Sequence, residues 1–302
     1  MTMLVRRNVT VAGILLLAVN ALAGVGELEI HTIPNRQPDW YYGDGNFQLT
    51  LRFNGYTSWG SFNGYLDVDL SPDFGTSSDV MYLELSPVFS LSKIAGLQTP
   101  DWLTDVGLTV QYNHGLMDSR YQLIPRAWLG GVVLSFGGDT IDVLDVHLLY
   151  KTFASYEEDY EIPYMDGDQP ALWPVHDVWP IEDGWQITVE WANTWRTKGG
   201  HEVFIRGFVD YWVQEWKTVE QWPEAFPGFE SKGPTWLRPA SSGRFITQPQ
   251  FGYRFGYANQ FAVGTELEYT HNLYREPDDD GIHLYRMMGS TFQASLFFSV
   301  RF

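Results

Sequence analysis

The sequence predicts an all-β protein, a transmembrane antiparallel β-barrel of twelve strands with short periplasmic turns and long extracellular loops. Three observations predict this fold. Segments in which apolar and polar residues alternate recur along the chain. Short and long connections follow one another between these segments in a nearly regular order. Aromatic residues and glycine are abundant, with 13 Trp, 17 Tyr, 19 Phe and 29 Gly, and this composition favours pleated sheet over helix.

The N-terminal residues have the pattern of a secretory signal peptide. Arg6 and Arg7 precede an apolar run, and a small-residue stretch at 21–24 follows it. The apolar run is about ten residues long, which is shorter than the roughly 20 residues that a membrane-spanning helix needs. We therefore expect residues 1–23 to be a signal peptide and residues 24–302 to form one domain, a barrel in the outer membrane of a Gram-negative bacterium.

The alternating segments have about the length that a tilted strand needs to cross the hydrocarbon layer. In chain order they lie at residues 27–33, 46–56, 60–70, 80–92, 104–114, 120–136, 141–153, 184–197, 201–214, 245–256, 260–271 and 289–302. Lipid offers no hydrogen-bond partner to an open sheet edge, so the sheet must close. A soluble sandwich or a lipocalin-like barrel is the alternative, and it would turn its apolar face inward.

The connections alternate in length, as they do in an outer-membrane barrel. Tight turns are predicted at 57–59, 137–140, 198–200 and 257–259, with a longer turn at 93–103. Longer polar connections are predicted at 34–45, 71–79, 115–119, 154–183, 215–244 and 272–288. An even number of strands then places both ends of the barrel domain in the periplasm. Several aromatic residues near strand ends fit the interfacial girdles of such barrels, namely Trp40, Tyr41, Tyr42, Trp59, Trp102, Trp185 and Trp195.

The last strand indicates which face meets lipid. Phe292, Leu296 and Phe298 share one face, and the opposite face is mostly polar. In a barrel the apolar face is the outer one, so the polar face lines the lumen. The same rule applied to the other strands predicts the lumen-lining residues Arg52, Tyr65, Asp67, Tyr82, Glu84, Asp145, Lys151, Arg206, Phe208, Asp210, Trp212, Arg254, Glu266, Glu268 and Phe297.

The predicted lumen contains groups of both charge signs, whereas an anion pore would need an excess of Arg and Lys. Its aromatic side chains could stack on a planar or sugar-like neutral solute, since such stacking is worth roughly 1–3 kcal/mol per base in nucleic-acid complexes. The alternative is that the polar and aromatic groups only fill a narrow lumen with salt bridges and hydrogen bonds.

Composition and motifs exclude several other functions. The net charge of −18 disfavours nucleic acid as a partner, and without cysteine there is neither a disulfide nor a thiolate metal site. Neither a G-x-S-x-G nor an H-E-x-x-H motif occurs, nor does the His, Ser, Asn, Gly pattern expected of a twelve-stranded outer-membrane phospholipase. We therefore predict no enzyme activity, no catalytic residue, no metal site and no cofactor. Solvated loop charge is the preferred interpretation of two acidic segments, and the alternative is that they bind cations bridging lipopolysaccharide; the segments are Glu157, Glu158, Asp159, Glu161 and Asp278, Asp279, Asp280.

Three segments carry a resemblance to a known family. Residues 47–53 (FQLTLRF), the stretch from Trp59 to Asp69 and above all residues 82–93 (YLELSPVFSLSK) resemble the early strands of the Tsx-type nucleoside-specific outer-membrane channels and their relatives. The resemblance covers the second to fourth strands and elsewhere only the order of strands and the loop lengths. It implies a monomeric twelve-stranded barrel with a narrow, aromatic-lined passage for nucleosides. The Trp-, Pro- and acid-rich connections 154–183 and 215–244 depart from the family. The family's substrate contacts do not align residue by residue beyond the Glu84 strand, and no family binding residue is carried over.

Together these observations predict an outer-membrane diffusion channel for small neutral or zwitterionic solutes, with nucleosides as the favoured substrate. Outer-membrane lipid and lipopolysaccharide would surround it, and we expect a monomer. The alternative is a plugged structural or adhesion barrel, or a surface receptor, that binds a partner through its acidic, Trp-rich loops.

Overall fold

A computed structural model describes residues 24–34, 47–70, 81–116, 126–138, 141–153, 156–166, 169–179, 183–214, 242–273, 275–277, 285–287 and 289–302. The predicted signal peptide and most of the predicted long connections lie outside these residues. The strands are β1 (Val25–Thr32), β2 (Phe47–Tyr56), β3 (Gly60–Leu70), β4 (Met81–Ser90), β5 (Leu103–Leu116), β6 (Ala127–Gly138), β7 (Ile141–Phe153), β8 (Tyr156–Asp166), β9 (Gln169–Trp179), β10 (Gly184–Arg196), β11 (Glu202–Gln214), β12 (Ser242–Thr247), β13 (Gln250–Phe255), β14 (Phe261–His271), β15 (Arg275–Pro277), β16 (Tyr285–Met287) and β17 (Ser290–Arg301).

The described residues contain little helix. The one-turn helix α1 (Leu91–Ala95) follows β4 within the predicted longer turn, and a 3₁₀ turn at Tyr257–Asn259 joins β13 to β14. Ser90 caps α1 by accepting a hydrogen bond from the Lys93 backbone N–H, and Gly96 ends it in the left-handed conformation at φ 66°. Among the described residues, no helix is long and apolar enough to cross a membrane.

The main sheet closes into an antiparallel barrel with twelve strand positions, which confirms the predicted fold class. Strands β1 to β7 are neighbours in chain order, followed around the barrel by β10, β11, the β12/β13 position, β14 and β17. Pairing of β17 with β1 closes the barrel and places Arg301 opposite Glu27. The backbones of Gly26 and Phe302 exchange hydrogen bonds of 3.0 and 2.9 Å at this seam.

Strands β12 and β13 are two parts of one barrel strand. Pro249 lies between them and has no backbone N–H, so it cannot donate to the ladder. The register is the same on both sides of the interruption, with Thr247 opposite Tyr269 and Gln250 opposite Glu266. The predicted single strand at 245–256 therefore corresponds to this pair.

Part of the connection at 154–183 is a β-hairpin, whereas the sequence predicts a polar loop there. Within it β8 and β9 form a hairpin of their own, with Tyr156 opposite Trp179 and Asp166 opposite Gln169. A second small hairpin, β15 and β16, lies within the connection at 272–288. Neither hairpin belongs to the barrel sheet. The acidic side chains at 157–161 and residues 278–280 lie outside the described part of the structure.

The described barrel residues have an apolar exterior and a mostly polar interior. Exposed apolar side chains alternate with buried polar ones along the strands, as Leu28 and Ile30 alternate with Glu29 and His31 on β1. A smaller apolar patch inside comprises Ala127, Leu129 and Leu149. This distribution is the reverse of a lipocalin-like barrel and is typical of a barrel whose outer surface meets lipid.

Exposed tryptophans mark both ends of the apolar exterior. Trp102 and Trp195 lie at the end of the barrel that carries the short turns, hereafter the short-turn end, and Trp128 and Trp185 lie at the opposite, loop end. Trp185 and Trp195 are on one strand, which rises about 3.3 Å per residue and is tilted by roughly 40°. Their separation along the barrel axis is therefore about 25 Å, the usual height of the lipid-facing band. Trp59 packs on Phe89 with ring centres 5.2 Å apart, and residues 40–42 lie outside the described residues.

Candidate functional site

The barrel contains a cavity of about 770 Å³ at its short-turn end. Tyr56, Thr104 and Asp142 line the cavity where the strands meet the turns. Further inside, its wall reaches Tyr65 and Asp210. On β3 and β11 the next inward residues toward the loop end, Asp67 and Trp212, are not part of the lining, whereas on β10 the lining extends to Gln186. The cavity therefore opens at the short-turn end and reaches deeper along β10 than along β3 and β11.

The structure brings many of the predicted lumen residues together around this cavity. Those that line it are Arg52, Tyr65, Glu84, Asp145, Arg206, Phe208, Asp210 and Arg254. They come from β2, β3, β4, β7, β11 and β13, so they surround the cavity rather than form one patch. Their role in contact with a solute stays a prediction.

The other predicted lumen residues lie inside the barrel but do not line the cavity. Asp67 accepts a hydrogen bond of 2.6 Å from Thr50. Glu266 and Glu268 accept hydrogen bonds from Gln250 and Gln248 at 2.6 and 2.5 Å. Each of these carboxylates therefore has a hydrogen-bond donor on a neighbouring strand of the wall. The remaining members of this set are Tyr82, Lys151, Trp212 and Phe297.

Phe297 packs inside the wall and is only 4% exposed. It lies opposite Gly264 across β14 and β17, and a Cβ at Gly264 would approach the Phe297 ring to 2.5 Å. Its ring centre is 5.4 Å from that of His31 and 6.4 Å from that of Phe204. Phe297 therefore fills the space above a glycine, and its ring faces are covered by protein.

The Glu29 carboxylate is fully buried in the interior and has several partners. Arg52 Nε and Gln250 Nε2 donate to it at 3.2 and 3.1 Å, and the His31 ring lies 2.9 Å away. Arg206 Nη2 donates to the same carboxylate. Burial of a carboxylate is costly without such partners, and here four side chains surround it.

Arg206 links β11 to β1 across three intervening barrel positions, those of β12/β13, β14 and β17. Its Nη1 donates to Glu27 Oε2 at 2.9 Å, and its Nε donates to Gln250 Oε1 at 2.6 Å. Across the strands Arg206 is level with Gln250, Glu266 and Ser295 in turn. By the register of β17 with β1, that level meets β1 beyond His31, later in the chain than Glu27 and Glu29. The guanidinium reaches residues earlier on β1 because the strands are tilted to the barrel axis. We call this set the arginine network: Glu27, Glu29, His31, Arg52, Arg206, Gln250, Arg254 and Glu266.

Carboxylates dominate a different part of the cavity wall. Glu84, Asp145, Glu190 and Asp210 come from β4, β7, β10 and β11, and we call them the carboxylate wall. Tyr82 and Ser86 donate to Glu84 at 2.9 and 3.1 Å, and Thr188 donates to Asp210 at 2.5 Å. Like charges at such proximity make this part of the cavity attractive to cations or to the positive end of a dipolar solute.

Lys151 and Trp212 lie between the cavity and the loop end. Lys151 Nζ donates to Gln186 Oε1 at 2.9 Å and lies 4.6 Å from the centre of the Trp212 ring. Both side chains are buried, at 4% and 6% exposure. In the described part of the barrel they cover the inner end of the cavity on the side of β7 and β11.

Glu27, Glu29 and His31 are not among the lumen residues predicted from the sequence. The signal for them was present, because they alternate with Leu28 and Ile30 on the first strand in the same way as the residues of the later strands. Their contact with Arg206 had no local signal, since the two strands are separated by most of the chain.

No protein family and no curated protein sequence matches this chain. Among solved structures it is similar to the NanC porin, with 9% identity, a TM-score of 0.36 and coverage of 91% of this chain and 98% of that chain. It is also similar to LpxR from Salmonella typhimurium, with 8% identity, a TM-score of 0.35 and coverage of 91% and 99%. A FadL homologue from Pseudomonas aeruginosa matches with 10% identity, a TM-score of 0.33 and coverage of 92% and 89%. The likeness is to the barrel fold alone.

Proposed function

We propose that this protein is an outer-membrane diffusion channel for small polar solutes, and that nucleosides are its substrates. The observation that carries the proposal is the polar cavity of about 770 Å³ inside a barrel with an apolar exterior. Sites for small organic molecules usually have volumes of about 300–1,000 Å³, so a nucleoside is of suitable size.

The charge distribution around the cavity supports a neutral or zwitterionic solute. The carboxylate wall and the arginines Arg52, Arg206 and Arg254 lie on different sides of the same cavity. A solute with a dipole can align with this separation, whereas an anion such as a nucleotide meets the carboxylate wall at unfavourable energy. The guanidiniums hold buried carboxylates at the same time, so they do not form an excess of positive charge.

Aromatic side chains at the inner end of the cavity support recognition of a planar base. The rings of Tyr65 and Tyr82 have centres 5.3 Å apart, and Tyr65 belongs to the cavity lining. Phe208 lines the wall on β11. Stacking on such rings is worth roughly 1–3 kcal/mol per base in single-stranded nucleic-acid complexes and would separate nucleosides from sugars of similar size.

A closed barrel that acts as a surface receptor is the second candidate. The burial of Lys151 and Trp212 beyond the cavity favours it, because these side chains cover part of the route toward the loop end. In that case the connections at 154–183 and 215–244 would bind the partner, and the barrel would serve as their support.

Liposome swelling with the reconstituted protein tests the proposal. We expect adenosine and uridine to permeate faster than a sugar of similar size, and a nucleotide to permeate most slowly. Tyr65→Ala should remove most of the difference between nucleosides and the sugar by eliminating one stacking face. Tyr253→Ala is the matched control, because Tyr253 is 39% exposed on the outer face.

The possible outcomes separate the two candidates. Permeation of nucleosides and sugar at equal rates would contradict nucleoside selectivity while leaving a general channel. If no solute permeates, the channel is excluded and the closed receptor barrel is favoured. In that case, replacement of the 215–244 connection should abolish partner binding and leave the barrel folded.

A further inference from the structure

Three potential metal ligands converge on the carboxylate wall. Asp145 and His147 are both inward-facing on β7, and Glu190 lies opposite Asp145 on β10. One ligand atom from each of the three residues lies within 4.8 Å of the others. His147 Nε2 is 3.8 Å from Glu190 Oε1, which is too long for a hydrogen bond.

The His147 ring nitrogen that faces this cluster has no hydrogen-bond partner among the described residues. The residue is 1% exposed, so water does not replace that partner at the protein surface. Buried polar atoms are nearly always paired, and an unpaired one in a native structure calls for an explanation such as a bound ion. Because Nε2 lies beside two carboxylates, a cation bound among the three groups would be the missing partner.

The second ring nitrogen of His147, Nδ1, has a hydrogen-bond partner on the side away from the cluster. Its Nδ1 lies 3.0 Å from the side-chain amide of Gln111, which is also buried. In the structure Gln111 Nε2 donates to His147 Nδ1, so the proton is on Nε2. Metal binding requires the other tautomer: a half-turn of the Gln111 amide, whose O and N occupy nearly equivalent positions, lets Gln111 Oε1 accept the Nδ1–H and leaves the Nε2 lone pair directed at Asp145 and Glu190. Metal-binding histidines almost always have such a partner on the other nitrogen, because it fixes the tautomer and the ring orientation.

The two carboxylates are partly accessible, and no Arg or Lys of the described residues pairs with them. Neither Asp145 nor Glu190 has an Arg or Lys within salt-bridge distance in the described part of the chain. Both line the cavity, whereas His147 lies behind them, so an ion can approach from the short-turn end. An entry path, a ligand set and a supported histidine are the features expected of a metal site.

We propose that Asp145, His147 and Glu190 bind a divalent transition-metal ion, with Zn²⁺ as the probe that fits the ligand set best. One imidazole and two carboxylates form the mixed nitrogen and oxygen set that Zn²⁺ accepts, and a water or solute group would complete a fourth position facing the cavity. Zn–N and Zn–O distances of about 2.0–2.2 Å place ligand atoms roughly 3–3.5 Å apart, so modest side-chain rotations close the site.

The site would also join two strands that no short turn connects. β7 and β10 are neighbours in the barrel, but the connection at 154–183 separates them in the chain. A bound ion would clamp this pair from inside. The proposal does not depend on the channel function, because the site would exist in an open or a closed barrel.

The test measures Zn²⁺ binding to the full chain folded in detergent micelles, by competition with a chromogenic chelator. We expect one Zn²⁺ per chain, and at least about a tenfold weaker affinity in His147→Gln and in Glu190→Gln. His271→Gln and Asp101→Asn are matched controls, since His271 lies at a strand end and Asp101 in the turn before β5, both exposed and outside the cluster and the cavity lining. They should bind Zn²⁺ as the unaltered protein does.

Two results would overturn the proposal: no binding by the unaltered protein, or unchanged affinity in both His147→Gln and Glu190→Gln. Because either variant could fail to fold, Co²⁺ added to the unaltered protein is a second measurement. We expect visible absorption bands of Co²⁺ with a nitrogen ligand, and their absence would also count against the site. Neither measurement involves solute permeation, so failure of the channel proposal and failure of the metal site are distinguishable.

Discussion

At the scale of single residues, buried carboxylates in the described interior each have several partners. Glu29 is fully buried and interacts with Arg52, Arg206, His31 and Gln250. In a low-dielectric interior the pairing of such a group is worth little net stability, but loss of one partner is costly because it leaves charge uncompensated. The arginine network should therefore be sensitive to single substitutions.

We predict that Arg206→Met lowers the free energy of unfolding by about 3 kcal/mol, since Glu27 and Glu29 lose their shared partner. The measurement is a urea titration in lipid vesicles followed by tryptophan fluorescence. Arg196→Met is the matched control, because Arg196 is 80% exposed and pairs with Glu202 at 3.6 Å, and it should cost below about 1 kcal/mol. Equal effects of the two substitutions would show that the network adds no stability.

The directions of many of these side chains followed from the sequence, but their partners did not. Period-two alternation placed Arg52, Arg206 and Glu266 inside the barrel. The contact of Arg206 with Glu29 depends on strand tilt and barrel closure, which a local pattern does not contain. For the same reason the convergence of Asp145, His147 and Glu190 does not follow from the sequence pattern, and no metal site is predicted from it.

At the scale of elements, close approach of neighbouring strands limits which residues a strand can contain. Gly130 and Gly131 are adjacent on β6 but have different surroundings. A Cβ at Gly131 would lie 2.0 Å from the Leu148 carbonyl oxygen on β7. A Cβ at Gly130 would have only the Thr109 carbonyl oxygen nearby, at 4.0 Å.

We predict that Gly131→Ala destabilises the barrel by about 1–3 kcal/mol, because the β7 backbone must shift to accommodate the methyl group. Gly130→Ala should be neutral or stabilise by up to about 1 kcal/mol, because alanine loses less conformational freedom on folding than glycine. Urea titrations of both variants in one lipid check the prediction. A stable Gly131→Ala protein would mean that β6 and β7 separate more easily than their register suggests.

The barrel strands were predicted correctly because each contains a long stretch of alternating apolar and polar residues. The short hairpins outside the barrel lack such a stretch and were not predicted. All barrel strands were placed from alternation, including the strand that Pro249 interrupts. The β8 and β9 hairpin was described only as a polar connection, because its residues include several prolines and acidic groups that are uncommon in strands.

At the scale of the whole molecule, the two faces of the sheet have opposite polarity over a band of about 25 Å between the tryptophans of the two ends. This organisation predicts how much a charged side chain on the outer face lowers the free energy of unfolding at each depth in the bilayer. Val203 and Val209 are both outward-facing on β11, but Val203 lies opposite Trp195 at the short-turn end and Val209 lies near the middle of the strand.

We predict that Val209→Arg lowers the free energy of unfolding in lipid vesicles by about 2–4 kcal/mol, and that Val203→Arg lowers it by about 1 kcal/mol or less, as expected for the midplane and the interface of a bilayer. The pair is its own control, since residue types and strand are identical. If the two costs were equal, β11 would not cross a hydrocarbon layer in the proposed orientation.

The closure of the barrel between β1 and β17 also has a kinetic consequence. Glu27 pairs with Arg301, so the final seam joins segments from opposite ends of the described chain. Contacts of such large sequence separation form slowly, because the entropy of loop closure is lost before the contacts are gained. Until the seam forms, the first and last strands each expose an unpaired edge that can recruit another strand. Assembly should therefore be slow and all-or-none, and the cell would need to shield those two edges until they meet.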